Sequence, residues 1–295
     1  MRWGVSLGPL VGVEGTDLLR RYADGGINRV WAADHLGAPD PFVPLAAAVA
    51  ITDLDVGLLV ANHDFWHPAM FGRAVGSLAA FAPGRVTWGV GAGHAEIEYL
   101  AQGIEFASPA RRVARLEGFV DVVTRLLAGD SVDHDDEWFT LRECALGSAT
   151  PATPPRLLVG GNGDRVLRLA ATTADEVGLV GFTSGNQRQQ TNLTHFTWEG
   201  LAERLAFTRA HRDDRPLDVQ VLVQQLIVTD DPDAALGPLA THAGIAVETV
   251  RDCPFVLVGP LAFLREQVAR LESMGVGELT VFGFAAEEVL TLLAR

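Results

Sequence analysis

The chain has 295 residues, is 48% hydrophobic and carries a formal net charge of -14. That length and apolar fraction support a large buried core, while the acidic balance repels polyanions and argues against nucleic acid as a partner. All 23 basic residues are arginine, so lysine Schiff-base chemistry and a Walker phosphate loop are both excluded.

No run approaches the roughly 18 apolar residues of a membrane span. Gly8, Pro9, Gly12 and Glu14 interrupt the N-terminal apolar segment, which argues against a secretory signal. Cys144 and Cys253 are far apart and form no ligand-spaced pair, as in a reducing compartment, so a cytoplasmic protein is expected.

In chain order, residues 1–7 read as a first strand and 16–25 as a helix with Leu18, Leu19 and Tyr22 on one face. Arg29-Val30-Trp31-Ala32-Ala33 is a second strand, tipped by Asp34-His35. Residues 44–51 are an Ala-rich helix, and 56–61 a third strand ending in Asn62-His63-Asp64. His67-Pro68 opens the next helix, with proline where its missing N–H costs little. Residues 85–90 are a fourth strand, running into Gly91-Ala92-Gly93-His94. Ser108-Pro109 opens a long helix with Val113, Leu116, Val120, Val123 and Leu127 on one face.

Residues 130–153 read as a polar, irregular excursion. Residues 156–159 form a fifth strand before Gly160-Gly161-Asn162-Gly163 and a helix, and 176–180 a sixth before Thr183-Ser184. The Gln/Thr-rich stretch 186–197 reads as a mobile lid. A helix at 198–211, a seventh strand at 219–228, a mostly helical stretch at 232–274 interrupted at 254–260, an eighth strand at 278–282 and a closing helix complete the chain.

Eight apolar runs alternating with helices and no break in composition predict an α/β fold. The expected architecture is a (β/α)8 TIM barrel, one domain over 1–295 with insertions near 130–153 and 186–197. A doubly wound sheet is the rival, but neither the 89–93 nor the 160–163 glycines complete its dinucleotide fingerprint.

In a barrel the strand C-termini converge on one mouth. His35, His63 and His94 would meet there with Asp34, Asn62, Asp64 and two glycine turns. A Zn or Mn site would need ligand spacing that is lacking here, with no His-x-His after the first strand and no carboxylate closing the last. The alternative is a cofactor mouth with an imidazole for proton transfer. Gly91-Ala92-Gly93 would let a flat ring approach the backbone, and Gly160 to Gly163 before a helix could hold a phosphate, although Asp164 would oppose it. Glu96 and Glu98 read as solvated or capping carboxylates, and Arg111, Arg112 and Arg115 as a solvated helix face.

With these residues in order, the chain resembles the luciferase-like monooxygenase superfamily, and within it the actinobacterial oxidoreductases that use the deazaflavin coenzyme F420. The resemblance rests on Val30 to His35, Leu59 to Pro68, Gly84 to Gly93, Glu98-Tyr99, Arg112 to Glu117, Leu158 to Ala171 and Thr183-Ser184-Gly185.

The resemblance implies that Asp34 hydrogen-bonds the cofactor and His35 faces the reacting centre, with His94 and His63 as further acid/base candidates. The backbone near Ala61 and Asn62 would support the ring, where relatives often carry a non-prolyl cis peptide. Gly91, Ala92, Gly160, Gly161 and Thr183 would line the ring and its phosphate-bearing tail. Sugar-phosphate-oxidising relatives carry a Glu where His94 stands, a Lys where Asn186 stands, and a Trp after Asp-His that is missing here. A sugar phosphate is therefore not expected. Gly118 also stands where an acid often closes the Arg112 to Glu117 motif.

The expected function is hydride transfer between F420 and a small organic substrate, in a homodimer. The rivals are an FMN-dependent monooxygenase and a non-catalytic deazaflavin-binding protein.

Overall fold

The computed structural model describes residues 1–8, 12–184 and 191–294. Its frame is eight strands: β1 Arg2–Ser6, β2 Arg29–Ala32, β3 Asp55–Leu58, β4 Val86–Gly91, β5 Arg156–Gly160, β6 Glu176–Leu179, β7 Asp218–Val223 and β8 Glu278–Phe282. Each pairs in parallel with the strands before and after it. β8 pairs with β1, Arg2 opposite Glu278 and Ser6 opposite Phe282, so the sheet closes on itself. This is the (β/α)8 barrel that the alternation of apolar runs and helices predicts.

The alternation along each strand explains the closure. One valine per strand (Val5, Val30, Val56, Val90, Val159, Val177, Val221 and Val281) is fully buried, packed outward against the helix layer. The intervening positions point into the barrel. Trp31 crosses the lumen, and a Cβ on Gly57 would stand 2.4 Å from its ring and one on Gly4 2.6 Å from its Nε1. Those two glycines make room for the indole.

Below Trp31 the lumen is charged. Arg29 Nη1 donates to Glu176 Oε2 at 2.7 Å, and its Nε lies 3.6 Å from Glu278 Oε2. Trp31 Nε1 donates to Glu278 Oε1 at 2.8 Å. Burial pushes the Glu278 carboxyl above its ordinary pKa, against the pull of Arg29. Reading these strands as apolar runs misses this layer, because only one side chain in two faces the lumen.

Three segments differ from their sequence reading. Residues 130–153 contain an antiparallel hairpin, Val132–Asp135 with Thr140–Cys144. Asp136 Oδ1 closes its tip by accepting from Trp138 N and Phe139 N, both at 2.7 Å. The 219–228 run is two strands: beyond β7, Gln225–Val228 leaves the barrel. It pairs in parallel with Val256–Gly259, so the interruption at 254–260 is a strand as well.

Candidate functional site

The mouth is organised by the carboxylate that follows β2. Asp34 Oδ2 accepts from Trp66 Nε1 at 2.8 Å and from the backbone N–H of Asn62 at 3.1 Å. Oδ1 takes no donor among the described residues. Burial raises the Asp34 pKa, and the two donors oppose that shift.

After β3 the Leu59–Val60 peptide bond is cis, immediately before Ala61 and Asn62. Ala61 and Asn62 then resume the pairing, opposite Val90 and Gly91. Val60 rests against two glycine strand ends. Its Cγ2 lies 2.8 Å from where a Cβ on Gly91 would stand, and its Cγ1 2.9 Å from that of Gly160. Side chains there would collide with Val60, so the two glycines make room for the valine of the cis bond.

His35 and His94 meet at this mouth. Their rings are edge to face, 5.6 Å apart at 87°. His35 Nδ1 is 2.8 Å from Glu98 Oε1. His94 keeps an exposed edge, yet loss of hydration, with the adjacent His35, holds its pKa below the ordinary value. Glu98, read from sequence as solvated or capping, is thus a partner of the leading imidazole.

His63 does not join them. It is fully buried, its Nδ1 lies 3.0 Å from Gly91 O, and burial lowers its pKa to about 4. Its place against Phe119 and the β4 carbonyl is structural, which corrects its reading as an acid/base facing substrate. The sequence lacks a signal for this, because His63 turns inward at the short helical turn His63–Phe65.

The arginine face is also corrected. Arg111 is exposed and pairs with Glu137, but Arg112 is buried. Its guanidinium donates to Ala92 O at 3.0 Å, Gly93 O at 3.5 Å and Ala107 O at 2.5 Å, bracing the loop that carries His94. Arg115 pairs with Asp64 at 2.9 Å. Arg112 is held under the 92–107 loop, whose path is tertiary information, whereas Arg115 is half-buried, with 22% of its side chain exposed. Glu117 pairs with Arg165 through two bonds, 2.8 and 2.5 Å, so this acid ties adjacent helices together.

At the end of β5, Gly160 and Gly161 precede the helix Asp164–Thr173. Asp164, the residue expected to oppose an anion here, is met by Arg204 Nη1 at 2.5 Å, and that guanidinium is largely buried. Asn162 Nδ2 donates to Phe182 O at 2.8 Å, fixing the turn to the β6 end. Thr183 lies in the short strand Thr183–Ser184, antiparallel to Thr191–Asn192. Its side chain and residues 185–190, Asn186 and the start of the expected lid among them, lie outside the described residues. A cleft of about 300 Å3 lies at the opposite end of the barrel, beside Val219 and Gly275. There Arg212 is committed to the Ala171 and Ala174 carbonyls.

The luciferase-like monooxygenase family model matches residues 12–270. The chain belongs to that family. This luciferase-like protein is 31% identical over 228 residues to the F420-dependent glucose-6-phosphate dehydrogenase of Beutenbergia cavernae, a match covering 74% of this chain and 64% of that relative. The match thus spans just under two thirds of the relative's length. Among solved structures, an F420-dependent secondary alcohol dehydrogenase in complex with an F420-acetone adduct superposes with a TM-score of 0.79 at 18% identity, covering 100% of this chain and 99% of that one. The coenzyme F420-dependent tetrahydromethanopterin reductase of Methanopyrus kandleri gives 0.77 at 16% identity, with 99% and 96% covered. At these identities the structural likeness is one of fold.

No helix among the described residues is long and apolar enough to cross a membrane.

Proposed function

We propose that this luciferase-like protein is an oxidoreductase that passes hydride between coenzyme F420 and a small, uncharged organic substrate at the barrel mouth. The observation that carries the reading is Asp34: a partly buried carboxylate with one oxygen fixed by Trp66 and Asn62 and the other open to a donor, beside glycine strand ends. Such an acceptor fits a flat heterocycle bearing ring N–H groups. The sequence likeness to an F420-dependent dehydrogenase supports the choice of cofactor.

When bound, the deazaflavin supplies a ring carbon that accepts or gives up hydride. Asp34 Oδ1 orients the ring, and the ends of β4 and β5 at Gly91, Ala92, Gly160 and Gly161 line it. The turn before Asp164–Thr173 offers free helix amides to the phosphate-bearing tail, with Arg204 offsetting Asp164. His35 moves the substrate proton, and His94 stands at its side.

Among the described residues, the engagement of the cations near the mouth favours an uncharged substrate. Arg112 is committed to carbonyls and Arg115 to Asp64, while loss of hydration and the adjacent His35 disfavour the charged form of His94. A phosphorylated substrate would need a cation that these groups do not offer. The test is anaerobic turnover: reduced F420 should be reoxidised by a member of a panel of ketones, imines and activated alkenes. Cofactor that binds but is never reoxidised would favour a binding protein.

A homodimer, seated on the helices Phe42–Ile51 and Pro68–Phe81, completes the proposal. Val43, Ala46, Ala47 and Ala50 leave the first helix apolar on its exposed side, and Met70 and Phe81 extend that face. Light scattering should give twice the chain mass, and Val43→Glu should halve it. A monomeric wild type would remove this part. Free Cys144 and Cys253 accord with a cytoplasmic location.

A further inference from the structure

Glu98 lies in the first turn of the helix Glu96–Gln102, with its backbone N–H on Ala95 O at 2.9 Å. The next residue, Tyr99, is fully buried, and its hydroxyl reaches Asn62 Oδ1 at 3.0 Å and Asp64 Oδ2 at 2.7 Å. A Cβ on Gly93 would stand 1.9 Å from that hydroxyl, so the glycine at the β4 end lets the tyrosine pass. The helix is thereby pinned to the end of β3. From it Glu98 reaches back to the end of β2, where Oε1 meets His35 Nδ1 at 2.8 Å.

The pair is sheltered on one side and open on the other. The Glu98 side chain is 15% exposed and that of His35 45%. A carboxylate only accepts, so the proton in this bond sits on Nδ1, and in the neutral ring Nε2 then carries the lone pair. Nε2 makes no hydrogen bond among the described residues. Left to itself, a neutral imidazole side chain favours the opposite tautomer, with the proton on Nε2.

We propose that Glu98 is a positioning residue for His35: by accepting from Nδ1–H it holds the ring in the tautomer whose Nε2 can take a substrate proton. This rests on the assignment of His35 under the proposed function. For an alcohol, the carbinol C–H breaks and its electron pair leaves as hydride to the deazaflavin ring carbon. The hydroxyl proton passes to His35 Nε2, and the C–O bond becomes a carbonyl. The alcohol is oxidised and the cofactor reduced, and the reverse reaction returns the proton from Nε2. A base with its partnered nitrogen held by a fixed carboxylate needs no rotation to act in either direction.

The test reads the tautomer directly, on protein without cofactor. Nitrogen-15 spectra of histidine-labelled wild type should show His35 as the Nδ1–H form, and Glu98→Ala should move it to the Nε2–H form. In turnover assays Glu98→Ala should lower kcat on the order of 10- to 100-fold while the dissociation constant for F420 stays within about twofold. Glu98→Asp, which keeps an acceptor, should recover part of both signals. Wild-type His35 found as Nε2–H, or a Glu98→Ala protein with unchanged tautomer and kcat, would overturn the proposal. An Nδ1–H wild type that never exchanges hydride with F420 would uphold the pairing and sink the functional reading. An Nε2–H wild type with normal turnover would do the reverse.

Discussion

Trp66 donates its indole N–H to Asp34 Oδ2 at 2.8 Å, and so decides which carboxylate oxygen stays open at the mouth. A fixed carboxylate offers one directed acceptor, where a free one would spend entropy on binding. Asp34→Ala should weaken F420 binding at least tenfold, equivalent to about 1.4 kcal/mol. Trp66→Phe, which leaves the acceptor but frees its orientation, should weaken it less. Equal losses in the two variants, measured by fluorescence titration, would show that Trp66 acts on the ring by itself.

The Arg204–Asp164 pair predicts a compensating double variant. Arg204→Ala leaves the Asp164 carboxylate unopposed at the helix N-terminus that would receive the cofactor tail. F420 affinity should fall on the order of tenfold and be largely restored in Arg204→Ala/Asp164→Ala. Failure of the second change to restore binding would place the effect of Arg204 in packing against Phe207.

His63 sets a pH dependence of stability. Its pKa is lowered from 6.5 to about 4 by burial, so between these values the unfolded chain binds a proton that the folded one refuses. Its contribution is complete above pH 6.5 and is lost as pH falls toward 4, by about 3 kcal/mol in all. His63→Asn, which keeps a donor for Gly91 O without an imidazole to titrate, should flatten the urea-unfolding profile across that window. A variant as pH-sensitive as the wild type would exclude His63 as the source.

Arg29 is the buried cation between two buried carboxylates, and removing it leaves Glu176 to the half-exposed Arg156 at 3.2 Å and Glu278 to Arg2 at 3.8 Å and the Trp31 indole N–H. Arg29→Met should cost about 3–5 kcal/mol of stability. Adding Glu176→Gln and Glu278→Gln should recover much of that loss. Thermal unfolding measures both steps, and a destabilisation under 1 kcal/mol for the single variant would mean the carboxylates take up protons instead.

These residues mark where the sequence is readable and where it is not. The eight staves are legible because each carries an outward valine in an apolar run, and a run of that length between helices has few other readings. Asp34 and His35 are legible because polar residues at strand tips converge in any barrel. Arg29, Glu176 and Glu278 stand at the strand starts, and their meeting depends on a lumen that exists only after closure. Arg112 and Glu98 face solvent on a helical wheel, and they are engaged because the 92–107 loop folds over one and the end of β2 comes up to the other. His63 reads like His35 in sequence and is distinguished only by a turn that sends its ring inward.

The most direct measurement is a pair of equilibrium titrations of the cofactor-free protein, with F420 and with FMN under the same conditions. The account predicts that F420 binds more tightly by at least tenfold and that Asp34→Ala abolishes most of this preference. Tighter binding of FMN, or F420 binding indifferent to Asp34, would contradict it.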